Sequence, residues 1–546
     1  MISRISKVLA ALSIATLAAC GGGGGGAGSP LPVTPQQAST NPMFARIVGV
    51  GDSLTAGEQS DGLLGDTTVT NPLSILPGGI VQPGQENGWW ALLYEQATGM
   101  SPAAMANPQT SVLPLIKGPG IGAQLIPTNP AVTGFVFYPS HLSCDAFNNS
   151  AYGPSGYGPV RLNPTATTYD VGVPGITAHE ALYMVQSLTG PPGGPVGTAP
   201  NQYCPGYAPI ATDPTAGALQ ALVSSESQDF YPVLGGFANT VSPLTEVNAA
   251  VSLKPTLTTV WLGANDLLHY IFSNGVPISS DTPTQMQQDI TKIIQSLQKV
   301  GSKVVVANLP NVLTTPQFAG TATITLPSQQ CLVVNYFACD LYNVFLQQGD
   351  SPAVAAGTAM ALTAYVQGYN GGIIGTSGYV TESGYLNFLG QLAHGIQQPN
   401  LDDCNVLSGK TPQPGGGAGA CYVTAALVPQ VTALNAGYNA AIAAAAQATG
   451  APLVDINTIF TGIASGNPSN PYFAAAASIN PPKCCTLAFL GGLISFDGLH
   501  PSNTGYALIA NAFIQTIDTA YPNANIPPFS AAQLTAIAQT DPYAQY

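Results

Sequence analysis

A chain of 546 residues has room for three or four domains at ~150 residues each, and with 45 % hydrophobic residues it can bury a sizeable core. Charged residues are only 7 %, against ~25 % in ordinary soluble domains, so the wetted surface must rest on Asn, Gln, Ser and Thr. The net charge of −14 comes without any basic run, which argues against nucleic acid as a partner and otherwise bears on solubility, not on substrate.

Arg4 and Lys7 precede an apolar run from Val8 to Ala19, too short to cross a bilayer and shaped like a signal peptide. It ends in Leu17-Ala18-Ala19-Cys20, which resembles a bacterial lipoprotein signal. That resemblance implies cleavage before Cys20, lipid on its thiol and new amino group, and a mature protein held at a membrane of the bacterial cell envelope. The alternative is an ordinary signal peptide with a stray cysteine. The expected layout is a signal peptide over 1–19, a Gly/Pro/Ser-rich tether over 20–42 and one folded unit over 43–546. Eight cysteines follow Cys20, an even number that reads as disulfides in an exported chain. Proximity favours Cys331–Cys339 and Cys404–Cys421, with Cys144–Cys204 plausible and Cys484 and Cys485 open. Neither Cys-x-x-Cys nor clustered histidines occur, so no metal site is expected.

Along the rest of the chain, Ile47–Val50 reads as a short buried strand, loosened by Gly49 and Gly51, with Asp52-Ser53 where it ends. A helix is expected around Trp89–Glu95, its tryptophans lining either a groove or the core. Thr168–Val173 reads as a second strand and Thr177–Leu188 as a helix. Leu257–Leu262 is a third strand, and Thr282–Val300 a helix with Met286, Ile290, Ile293, Ile294, Leu297 and Val300 on one face. Lys303–Leu309 is a buried parallel strand, closed by Pro310. An Ala-rich helix over 425–449, a strand over 452–456 and a helix over 502–520 complete the pattern. Strands alternating with helices signify a parallel sheet covered by helices. Stretches at about 101–166, 190–216 and 315–425 lack this alternation and read as large irregular insertions.

Four blocks carry chemistry: Gly51-Asp52-Ser53-Leu54, Gly172-Val173-Pro174-Gly175-Ile176-Thr177, Gly263-Ala264-Asn265-Asp266 and Asp497-Gly498-Leu499-His500-Pro501. A serine hydroxyl needs a base; His500 is the candidate, and Asp497, three residues earlier on the same loop, can orient its ring. Each residue also has a plain structural reading, as turn serine, helix cap or loop carboxylate. Asp52 and Asp266 read as structural, because a carboxylate beside a developing oxyanion opposes it. His141, His179, His269 and His394 read as surface or insertion residues, with His269, near the third block, held in reserve. Rival motifs fail: Leu54 stands where a dinucleotide loop needs its third glycine, Cys404 where a phosphate loop ending in Lys410 needs its first, and no Gly-x-Ser-x-Gly elbow occurs.

In this order the four blocks resemble those of the GDSL lipases and esterases, the SGNH hydrolases. The resemblance implies an α/β fold of three layers, flavodoxin-like, with a five-stranded parallel sheet. It also implies hydrolysis of carboxylic esters through an acyl-serine intermediate, without metal or organic cofactor. It places the nucleophile at Ser53, the base at His500 and its orienting acid at Asp497. The oxyanion donors would be the N–H groups of Ser53 and Gly175 and the amide of Asn265; Asp170 departs from the asparagine frequent in the family, leaving Gly172 or Gly175 open. Acyl transfer to an alcohol from the same site, and a non-catalytic surface lipoprotein that binds ligands, are the other readings. The ester itself, lipid, short acyl, acetylated glycan or polyester, is not written in the sequence.

Overall fold

The computed structural model describes residues 41–60, 84–116, 161–186, 233–402, 419–479 and 492–545, short gaps apart, with Leu487 and short paired strands at 62–63, 75–76, 80–81, 121–122, 124–127, 135–138 and 207–209. The expected signal peptide, Cys20 and most of the tether lie outside the described residues, as do Cys144, Cys204, Cys404, Cys484 and Cys485.

In chain order, β1 (Ile47–Gly51) runs into the single-turn α1 (Ser53–Ala56), followed by α2 (Trp89–Thr98), α3 (Ala178–Tyr183) and α4 (Glu246–Ser252). Then come β2 (Leu257–Trp261), α5 (Ala264–Phe272), α6 (Pro283–Lys299) and β3 (Lys303–Ala307). The insertion supplies β4 (Phe318–Gly320), α7 (Phe337–Gln347), α8 (Pro352–Gln367), β5 (Tyr379–Thr381), α9 (Glu382–Ala393) and β6 (Tyr422–Val423). The chain finishes with α10 (Val428–Thr449), β7 (Leu453–Val454), α11 (Ile456–Ala464), α12 (Asn503–Ala520) and α13 (Ala531–Thr540).

Among the described residues β1, β2, β3 and β7 form one parallel sheet in that order, with Ile47 opposite Leu257 and Leu257 opposite Lys303. Ile47, Val48 and Val50 are fully buried, as a parallel strand covered on both faces requires. Gly49 has a specific cause: a Cβ there would stand 2.6 Å from the Trp90 ring, so the bare backbone makes room for α2. Trp89 stacks on Phe513 of α12 at 4.0 Å and meets Trp261 edge-on, so both tryptophans belong to the core. On α6, Thr282 caps the start, Pro283 occupies the first turn, and the apolar face of Met286, Ile290, Ile293, Ile294 and Leu297 is buried. That helix packs on α10, α3 and α4, while α2 packs on α12.

Three expectations are corrected. Among the described residues the sheet has four strands, against the five expected: the 168–173 segment follows the free edge of β1 with three backbone hydrogen bonds but forms a single parallel bridge, Gly49 with Asp170. The next rung would be Gly51 N to Val171 O, but Gly51 N donates instead to Glu246 Oε1 at 2.7 Å, so the ladder does not extend. The helix read over Thr177–Leu188 stops at Tyr183, where Met184–Gln186 turns to pair with Tyr207–Pro209. The 315–425 stretch is not irregular: α7, α8, α9 and the antiparallel β4–β5–β6 sheet enclose a separate apolar cluster including Phe337, Leu341, Tyr385 and Phe388. Cys331 and Cys339 are disulfide-bonded, and Cys421 is bonded as well.

Candidate active site

Ser53 is placed by a strand that must stop. Asp52 leaves β1 in extended geometry and caps α1, its Oδ1 accepting from Leu54 N at 3.0 Å, while its carbonyl accepts from Thr55 and Ala56 N–H. Ser53 is thus the first residue of the turn, at the carboxyl edge of the sheet where open α/β sheets bind ligands.

The 495–500 loop reaches the same edge folded on itself: Ser495 N donates to His500 O and Gly498 N to Ser495 O. Asp497 Oδ1 accepts from the N–H groups of Leu499 and His500, each at 2.8 Å, and from Ser495 Oγ at 3.2 Å. Its Oδ2 meets His500 Nδ1 at 2.8 Å, and His500 Nε2 meets Ser53 Oγ at 2.8 Å. A carboxylate at Nδ1 fixes the tautomer with its proton there, which leaves the Nε2 lone pair facing the serine hydroxyl. Burial alone would raise the Asp497 pKa; the His500 charge and the hydrogen bonds from His500 and Leu499 outweigh it and hold the acid below its usual value. The structure therefore joins Ser53, His500 and Asp497, which the sequence separates by more than 440 residues.

Asn265 begins the first turn of α5, at the carboxyl end of β2, and lines the same cleft as Ser53 and His500. One of its amide hydrogens goes to Ile176 O at 3.1 Å, tying the third block to the second and leaving the other hydrogen for the cleft. Of the two glycines, Gly172 donates its N–H to Asp170 Oδ1 at 3.0 Å and packs on α1. No described residue accepts from the N–H of Gly175, nor from that of Ser53. Burial pushes the Asp170 carboxyl well above its ordinary pKa, against the Gly172 N–H bond, which favours its uncharged form.

The cleft, about 470 Å³ with its open mouth, is walled by Leu54, Trp261, Leu268, Val312, Phe460 and Leu499, with Ser53, Asn265, Thr315 and His500 as its polar points. That is an apolar site with few convergent polar groups, the usual form of a small-molecule pocket. No acidic or basic side chain other than His500 lines it.

Asp52 and Asp266 are structural in their bonds: Asp52 caps α1, its carboxyl pushed up to about 7 by burial, and Asp266 Oδ2 accepts from Ala178 N. Of the histidines read as surface or insertion residues, His179 is fully buried and His269 half-buried. His179 Nδ1 bonds Asp289 Oδ2 at 2.9 Å, and His269, its pKa lowered to about 4 by burial, lies outside the cleft lining. His141 and His394 are outside the described residues. Among the described residues no group of His, Cys, Asp or Glu could hold a metal ion.

Sequence reasoning missed two contributors. Glu58 Oε2 stands 3.9 Å from His500 Nε2, a second carboxylate beside the ring; only its place five residues after Ser53 could have hinted at it. Gln317 donates its N–H to Gly498 O at 2.7 Å, and its side-chain amide faces Asp497 O and Glu382 Oε2, which assigns its nitrogen to that side, donating at 2.6 and 3.0 Å. No sequence signal marks it. Gly498 has φ +71°, and a Cβ there would meet Gln317 N at 2.5 Å, so this glycine admits the clamp.

An α/β protein with a Ser–His–Asp relay and a flanking asparagine at the carboxyl edge of its sheet is the class that fold and site define. Residues 213–513, more than half of the chain, match the sequence model of the GDSL-like Lipase/Acylhydrolase family, and the chain belongs to that family. Membership supports a hydrolase. The match contains Asn265, Asp497 and His500 but begins after Gly175, which is not among the cleft-lining residues, and after Ser53, which the fold brings to His500. No curated protein and no solved structure matches the chain.

Proposed function

We propose that this protein is a serine esterase that hydrolyses carboxylic esters through an acyl-Ser53 intermediate. The observation that carries the reading is the unbroken pair of 2.8 Å contacts from Ser53 Oγ to His500 Nε2 and from His500 Nδ1 to Asp497 Oδ2, at the wall of an apolar cleft. His500 takes the hydroxyl proton as Ser53 attacks the ester carbonyl, and Asp497 stabilises the imidazolium. The N–H groups of Ser53 and Gly175 and the amide of Asn265 receive the oxyanion. Collapse expels the alcohol, which leaves with the proton from His500. Water then attacks the acyl carbonyl while giving its proton to the same nitrogen; the bond to Ser53 Oγ breaks, His500 returns the proton to that oxygen, and the acid leaves. The uncharged walls suit an apolar acyl group, and the helices on either side of the sheet complete a three-layer domain.

The same proposal includes export and attachment to a bacterial envelope membrane through lipid on Cys20, supported by the Leu17–Cys20 sequence and the glycine tether after it. Cys20→Ala should leave the protein soluble after a high-salt wash; retention in the membrane fraction rules the anchor out. For the chemistry, a fluorophosphonate probe should label folded protein at Ser53 and not label Ser53→Ala. Folded wild type that neither labels nor turns over an activated ester is a binding protein on this fold.

A further inference from the structure

The relay uses one carboxylate, yet His500 has two. The chain after Ser53 turns at Gly57, whose left-handed geometry lets Glu58 N donate to Ser53 O at 3.0 Å. Tyr506 Oη of α12 donates to Glu58 O at 2.6 Å. Gln59 Nε2 donates to Asn503 Oδ1 at 2.9 Å, and Ser60 N to Ser495 Oγ at 2.9 Å, the hydroxyl that also serves Asp497. The Glu58 backbone is therefore fixed to the nucleophile turn, to α12 and to the histidine loop at once. Its side chain is buried, 7 % exposed, with Oε2 at 3.9 Å from His500 Nε2.

We propose that Glu58 is a positioning residue for His500: a second carboxylate whose charge stabilises the imidazolium formed each time Ser53 or water gives up its proton. This rests on the esterase reading. At 3.9 Å the carboxylate is near enough for Coulomb attraction through a buried medium and too far to take a hydrogen bond. It can favour the charged ring without capturing the proton that the departing alcohol needs. Burial pushes the Glu58 carboxyl up and the His500 charge draws it down, so it ionises most readily when the ring is protonated. The charged and titratable groups facing His500 are Asp497 from its own loop, Glu58 from the turn after α1 and, acting through its charge, Asp52 from the start of α1; Tyr506 reaches the ring through Glu58.

The test is the pH profile of kcat/KM on an activated ester for wild type, Glu58→Gln and Glu58→Met. Without the carboxylate, His500 should be a weaker base. The acid limb should then move down by about one pH unit, and the plateau should fall about threefold to tenfold. Both variants should unfold at or above the wild-type temperature, since each removes a buried charge while keeping volume. Glu58→Met serves if Glu58→Gln does not fold. An acid limb unmoved in folded variants overturns the proposal, and so does a limb that moves up. Failure of the esterase reading looks different: Ser53→Ala would then turn over at the wild-type rate, or wild type would not turn over at all.

Discussion

The nucleophile and its base are held by different parts of the molecule. The larger apolar cluster gathers the parallel sheet with the helices on it and includes Leu54, next to Ser53. The smaller belongs to the 315–425 insertion but also takes in Phe496, next to Asp497, which meets Tyr543 edge-on at 4.8 Å. Leu493 and Ile494, just before it, lie in the larger cluster. The histidine loop therefore straddles two cores, and Gln317 and Gly498 stitch it to the second. The insertion is part of the machinery that sets where the base stands.

The largest effect ignores this division. Ser53→Ala and His500→Ala should each cut kcat about 10⁶-fold, and the double variant should be scarcely worse, because residues acting as one unit are non-additive. Asp497→Asn should cost about 10⁴-fold through the wrong tautomer. Turnover of an activated ester by folded Ser53→Ala protein at near wild-type rate would undo the assignment.

Asn265→Ala tests the sheet side alone. It removes one oxyanion donor and keeps the relay, so kcat should drop ~10²–10³-fold, with KM nearly unchanged because the donor acts on charge present only in the transition state. A change confined to KM would make Asn265 a binding residue. On the insertion side, Gly498→Ala forces a Cβ to within 2.5 Å of Gln317 N at a position with φ +71°. Displacing the loop by ~1 Å should cost about 10²-fold in kcat. Gln317→Ala keeps the backbone bond to Gly498 and loses only the amide contacts, so its loss should be about tenfold. Equal, negligible losses in both would show that the second core does not position the base.

The same division separates what was legible in the sequence. β1, β2, β3 and α6 are contiguous apolar runs or one-faced periodic stretches punctuated by glycine and proline, and such patterns report burial directly. The first and third blocks could be read because each sits at the end of a buried strand, and the second and fourth because their glycines, prolines and polar residues stand close together in sequence. The insertion could not: α8 is Ala-rich with few bulky residues, so no apolar stripe announces it, although Ala355, Ala359, Thr363 and Val366 are buried. Glu58 and Gln317 act through where a turn and a loop place them, which no local pattern encodes.

The smallest predicted effect sharpens the contrast through protons. Carboxyls raised by burial crowd the sheet side: Asp52, Glu86 and Glu180 to about 7, Asp281 to about 6, with Asp170, Glu246 and Asp266 raised as well, against Asp340 in the insertion. An acid with a folded pKa above its unfolded ~4 holds its proton more tightly when folded. It contributes stability that is complete below about pH 4 and is lost as pH rises through the folded value. Asp497, held low, acts the other way only as pH falls below the ordinary carboxylate range, and His269, lowered to about 4, acts the other way as pH falls through ~6.5, but as one group against several raised acids. Between pH 8 and 5.5 the raised group therefore dominates, and the protein should become more stable on acidification. A net gain of ~2 kcal/mol corresponds to about 4–8 °C for a domain of 150–250 residues, and less for a longer chain. Esterase activity should fall over the same interval as His500, with an unperturbed pKa of ~6.5, takes up its proton. Thermal unfolding and kcat/KM measured at matched pH would then move in opposite directions. A midpoint that falls between pH 8 and 5.5 would mean that the sheet-side carboxyls are ionised in the folded protein.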